Sequence, residues 1–160
     1  LDQELVEEMA RTGVRIDGLS ELHEALRELP DATAKNVLRR VGRKRLQPIV
    51  DMAVALAPYK TGRLRSRITV GTRLSKRQRS MYEPEGKYDI TIFGGAAGAR
   101  HAHLQEFGTR HHKAQPFLQP AWDAGKDAML EGLKDDLWAE IEKAAARLAR
   151  KAAKAAAKGV

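Results

Sequence analysis

Apolar residues recur every three or four positions through much of this chain, and breaks in that pattern mark its elements. Leu22, Leu26 and Leu29 form one face of a short helix, with Ser20 placed to cap it and Asp17, Glu21 and Glu24 at its positive end. Pro30 closes it, because proline disfavours helical geometry in the residue before it. Asp31 and Thr33 then offer caps for a second helix. Along that helix Leu38, Val41, Ile49, Met52 and Leu56 fall near one side, with Leu46 and Ala53 beside them. Pro48 lies inside the stripe and removes a backbone hydrogen bond, which predicts a kink near Lys44 and Arg45.

The helical period stops at Ala57-Pro58, and Thr61-Gly62 supplies the turn into extended chain. Arg65 to Thr72 alternates with β-branched residues and predicts a strand. Arg73 to Gly86 is polar and aperiodic, so a long loop is expected there. Lys87 to Phe93 alternates most cleanly and predicts the second strand, while Gly94 to Ala99 carries so little side chain that it reads as a flexible connector. His101 to Phe107 suits either a helical turn or a strand. From Gln119 onward, Trp122, Met129, Leu130, Leu133, Leu137, Trp138, Ile141 and Leu148 keep a three-or-four spacing, which predicts one long helix. The expected fold is α+β, a small antiparallel sheet packed by N-terminal helices and a long C-terminal helix. Residues 1–142 are expected to make one domain, and residues 143–160 a basic Ala/Lys-rich helical tail with little apolar surface to dock it.

Composition narrows the chemistry. Hydrophobic residues make up 42% of the 160 residues and aromatics only 5%, so the core must be mostly aliphatic. The absence of cysteine removes disulfides, thiolate zinc sites and cysteine nucleophiles together. No run approaches the roughly 18 apolar residues of a membrane span. Leu1 to Glu4 lacks the basic and apolar start of a signal peptide, so a cytoplasmic protein without a membrane partner is expected.

Charge is unevenly distributed. Residues 1–34 hold three basic and nine acidic residues, whereas residues 35–79 hold fourteen basic residues and one acid, Asp51. Such a block points to an anionic partner, either nucleic acid or an acidic protein surface such as the N-terminal segment of a neighbouring copy. Arg39, Arg40, Arg43, Lys44 and Arg45 cluster on the second helix. Arg63, Arg65 and Arg67 alternate by two and would share one sheet face, and Arg73, Lys76, Arg77 and Arg79 form a basic loop. Phosphate contacts from these groups would be salt-dependent and indifferent to sequence. No helix-turn-helix, zinc finger or stacking-aromatic pattern accompanies them, so base readout is not expected.

Signs of catalysis are weak. His101, His103, His111 and His112 with Glu106 supply metal-ligand residue types, but they flank a Gly-Thr turn and lack a helical ligand spacing; surface or interface histidines are expected. Glu83, Glu85 and Asp89 are scattered, Ser66 and Ser80 lack a nucleophile-elbow context, and Gly94, Gly95 and Gly98 precede no phosphate-loop Lys-Ser/Thr. No catalysis, cofactor or metal is expected.

Two segments instead mix turn formers with apolar anchors: Ala57-Pro58-Tyr59-Lys60-Thr61-Gly62-Arg63-Leu64-Arg65-Ser66, and Glu106-Phe107-Gly108-Thr109 with Gln115-Pro116-Phe117-Leu118-Gln119-Pro120-Ala121. Together with Gly18-Leu19, Glu21-Leu22, Leu26 and Leu29-Pro30, they make the chain resemble the tail-completion or neck proteins of long-tailed double-stranded DNA phages and prophages. The resemblance covers roughly residues 18–121 and departs from the family in the basic loop and the Ala/Lys-rich tail. It implies a non-enzymatic α+β subunit of the virion, assembled in the host cytoplasm into a ring at the head–tail junction. Its implied partners are copies of itself, the tail tube or terminator, the head connector and, in the lumen, duplex DNA. In those terms Pro58 and Gly62 fix the helix-to-strand corner, Thr61 caps it, and Leu64 pins it to the core, with Ser66 beyond it. Glu106, Gly108 and Thr109 make an exit turn, and Pro116, Phe117 and Pro120 seat the long helix. Alternatives are a tail-terminator or head-closure ring, or a basic DNA-binding protein free of any particle.

Overall fold

The computed structural model describes residues 19–73, 86–99 and 101–158. Its elements are α1 (Leu19–Arg27), α2 (Asp31–Leu56), a 3-10 turn (Arg65–Arg67), β1 (Ile68–Gly71), β2 (Phe93–Ala96), α3 (Ala102–Phe107) and α4 (Leu118–Lys158). The two strands pair antiparallel, with Ile68 opposite Ala96 and Gly71 opposite Phe93, so the fold is α+β with a minimal sheet. The long helices α2 and α4 form the spine and face each other in opposite directions, Arg45 bonding Asp136 and Arg40 pairing with Glu140.

Two apolar clusters lie along that spine. One joins Leu22, Leu26 and Leu29 of α1 to Ala34, Val37 and Val41 of α2 and to Leu137, Ile141 and Ala144 of α4. The other joins Leu46, Ile49, Val50, Ala53 and Ala57 to Ile68, Phe117 and Ala121. α2 therefore buries Val37 and Val50, whereas Met52 and Leu56 of the expected stripe are 38% and 49% exposed. Its side is divided between α4, against which Ile49 packs at Gly125, and β2, against which Val50 packs at Gly94. α2 runs through Pro48 as one element. Its first turn lacks a side-chain cap because the N-cap position is Pro30, which has no side-chain acceptor; Asp31, already inside the helix, pairs with Lys87 at 2.9 Å. α1 already includes Ser20, which is therefore not its cap.

The strands depart furthest from expectation. Residues 86–92 hold no strand, and β2 lies in the small-residue stretch that reads as a connector. The reason is space: a Cβ on Gly94 would sit 2.8 Å from Val50, so only a strand stripped of side chains can lie this close to α2. Likewise Arg65–Arg67 is a 3-10 turn rather than strand, held by Ser66 N–H donating to the Gly62 carbonyl and Arg67 N–H to that of Leu64. The expected loop falls mostly in residues 74–85, with Lys76, Arg77 and Arg79, outside the described residues; Arg73 is described and exposed.

α4 runs unbroken past residue 143. Ala144 is buried and Leu148 packs against the first cluster, while residues 151–157 are exposed throughout. Trp122, expected on its apolar stripe, is 45% exposed because Ala121 takes the inward position. No described helix is long and apolar enough to cross a membrane.

Candidate functional site

The first motif builds the corner after α2. A helix ends with carbonyls that lack partners and carry partial negative charge. Arg65 answers both needs: its Nε donates to the Ala57 carbonyl at 2.8 Å and its Nη2 to that of Ala55 at 3.3 Å. The guanidinium also lies 5.4 Å from the Tyr59 ring centroid. Gly62 turns the chain at φ 73°, and Ser66 Oγ donates to the Arg63 carbonyl. Thus Arg63, Arg65 and Arg67 do not share a sheet face. Arg65 is taken by the helix end, while Arg63 and Arg67 are exposed, as is Thr61; Leu64 packs on the second cluster.

The second motif builds the start of α4. Glu106, only 7% exposed, sends its carboxylate from α3 to three backbone N–H groups, those of Phe117, Leu118 and Gln119, at 2.8–3.0 Å. These are three of the four donors that the first turn of a helix leaves without partners. The fourth position is Pro120, which has no N–H. One acid and one proline therefore account for the whole helix start, and the positive end of the helix faces a carboxylate. Burial pushes the Glu106 carboxyl up, but the three donors together outweigh it and hold it below the ordinary 4.5.

Gly108 and Thr109 shape the chain between. Gly108 has φ 75°, and a Cβ there would lie 2.7 Å from the Ala114 backbone nitrogen. Thr109 Oγ1 accepts from the N–H groups of His111 and His112. Gln105 and Gln115 join the two sides of the loop through both backbone and side chain. Phe117, with no exposed surface, then fills the second cluster, while Pro116 and Pro120 remain on the surface.

The basic helix face is largely answered within the fold. Asp136 of α4 accepts from Arg45 at 2.6 Å and Lys44 at 3.1 Å, and Glu140 pairs with Arg40 and Lys143. Bonds from Arg45 and then Lys44 hold the Asp136 carboxyl below its usual value. Arg39 bonds the Asn36 side chain, and Arg43 is exposed.

α3 separates two grooves. On one side a cleft of about 650 Å³ is lined by Lys60, Arg63, Leu64, Arg67, His101 and Gln105. On the other a groove of about 620 Å³ is lined mainly by apolar groups, including Ile49, Val50, Ile92, Phe107 and Trp122. Phe107 is 77% exposed. His101, His103, His111 and His112 are all exposed, and no metal-binding cluster of three or more His, Cys, Asp or Glu occurs among the described residues.

The roles of Glu106 and Arg65 are not visible in linear patterning, since each acts on backbone 8–13 residues away. A signal does exist: an acid ahead of a Phe-Leu-x-Pro helix start, and an arginine shortly after a helix-ending Ala-Pro. A family model described as "Bacteriophage HK97-gp10, putative tail-component" matches residues 20–108, more than half of the chain. No curated protein and no solved structure matches.

Proposed function

The chain belongs to the HK97-gp10-like family of phage tail components, and from that membership we propose that it completes the tail as a ring-forming subunit at the head–tail junction. A structural role in the virion follows from the family; the ring and the neck position are the proposal. The observation that carries it is the family match over residues 20–108, which takes in α1, α2, the sheet and all of α3.

The geometry supports this reading over a free DNA-binding protein. Of the densest basic cluster, Arg40, Lys44 and Arg45 are engaged by Asp136 and Glu140 of the same chain, while Arg39 and Arg43 are exposed. The polar groups at both motifs, Arg65 and Glu106, satisfy backbone rather than aim at a reactant. Each motif thus shapes a surface, and the mechanism is burial of complementary surfaces, first between copies and then against tail and head-connector proteins. Residues 151–157, exposed throughout, would extend from this body as a cationic helical projection.

Light scattering on the purified chain, with and without duplex DNA, tests the reading. A closed oligomer whose mass is unchanged by DNA supports it. A monomer that binds DNA with a steep salt dependence contradicts it.

A further inference from the structure

The fold divides the basic block of residues 35–79 into parts with different fates. The α2 cations Arg40, Lys44 and Arg45 find carboxylates on α4. Lys60, Arg63 and Arg67 converge on the cleft beside α3, and none of the ion pairs among the described residues includes them. Beyond α3 lies the apolar groove with Phe107 and Trp122 exposed, and the two depressions meet at Ala99. An occupant of this surface must bring negative charge and apolar side chains together.

We propose that the cleft receives residues 1–9 of a second copy of the chain, latching one protomer to the next. The proposal rests on the ring reading above and names its interface. Residues 1–9, Leu-Asp-Gln-Glu-Leu-Val-Glu-Glu-Met, carry Asp2, Glu4, Glu7 and Glu8 with no cation, and Leu1, Leu5 and Met9 recur at intervals of four. The acids match Lys60, Arg63 and Arg67, and the apolar positions match the groove across α3. Duplex DNA fits this surface less well: it is a convex rod with phosphates outermost and offers nothing apolar to Phe107 and Trp122. A segment of one subunit docking on a different surface of its neighbour is a heterologous contact, the kind that closes a ring.

A charge-swap series on the full chain tests this, read by sedimentation at low salt, where exposed charges are least screened. R63E/R67E and, separately, E4K/E7K/E8K should each weaken self-association by about tenfold or more, and the chain carrying both sets should recover most of it. Arg63 and Arg67 are exposed, and unchanged thermal melting confirms that the variants fold. In parallel, a labelled peptide of residues 1–9 should bind the E4K/E7K/E8K chain, and R63E/R67E should abolish that binding. If the chain associates but neither reversal weakens it, or the combined variant fails to recover, the latch is overturned while the ring reading survives. If the peptide binds and the chain stays monomeric, the docking site stands and the ring reading falls. If duplex DNA rather than the peptide binds in an Arg63- and Arg67-dependent way, the cleft holds nucleic acid and the proposal is overturned.

Discussion

The half of the molecule made by α1, the start of α2 and the later turns of α4 closes on Leu22, Leu26, Val37, Val41, Leu137 and Ile141, with its charges on the rim. The half around α3 closes on Phe117, and two charged side chains, Arg65 and Glu106, hold the backbone ends that surround it. The first half uses interchangeable parts: many aliphatic stripes would pack there, and its surface ion pairs are individually weak. The second half uses parts that have no substitutes, because each satisfies a particular backbone group. It is also where Met52, Leu56, Tyr59, Leu104, Phe107 and Trp122, the large apolar residues left exposed among those described, are concentrated. A region whose backbone ends are bonded by side chains, yet left apolar outside, has the character of an assembly surface.

Changes at Glu106 should separate the halves most sharply. Glu106→Gln would leave one oxygen to accept from Phe117 and Leu118 but turn an amide NH2 toward the Gln119 N–H and remove the charge. It should destabilise the fold by about 3 kcal/mol, read by chemical denaturation. The same residue predicts a pH dependence. Its folded pKa lies below 4.5, so its contribution is present above that value and is lost as pH falls through the folded pKa. Asp31, Asp136 and Glu140 are lowered as well, the first two chiefly by their bonds to Lys87 and Arg45 and the last by its bond to Lys143. Acid weakening is therefore shared between the halves. The difference between wild type and Glu106→Gln isolates the α3 end, and that difference should shrink below pH 4.5.

Gly108→Ala should cost about 2 kcal/mol in the same assay, since a side chain at positive φ is strained even before it meets the Ala114 backbone. Asp136→Asn, at the boundary with the helical half, should lower stability less than either, and high salt should erase most of the difference. Phe107→Ser should leave monomer stability within about 0.5 kcal/mol while weakening self-association, because Phe107 packs on little within its own chain. An unchanged association would remove the α3 face from the interface.

The same contrast explains what could be read from the sequence. Helix α1, most of α2 and the long α4 follow from apolar periodicity, because their burial depends on one face repeated over many residues. The antiparallel sheet and its first strand followed too, since Arg65 to Thr72 contains β1, but the second strand did not. Lys87 to Phe93 has the right alternation, but the pairing fell to Phe93–Ala96, where small residues let β2 approach Leu46 and Val50. The two motifs were legible as specific shapes, yet their causes were not. A helix end satisfied from a distant side chain leaves no period in the chain. The basic block misled in the opposite way, since Arg40, Lys44 and Arg45 answer acids on α4 about ninety to a hundred residues later.

Imaging the assembled virion at subunit resolution tests the central claim most directly. The account predicts a closed collar between head and tail in which the α3 face of each copy, with Arg63, Arg67, Phe107 and Trp122, lies against its neighbour. Copies placed elsewhere in the particle, or joined only through α1 and the later turns of α4, would contradict it.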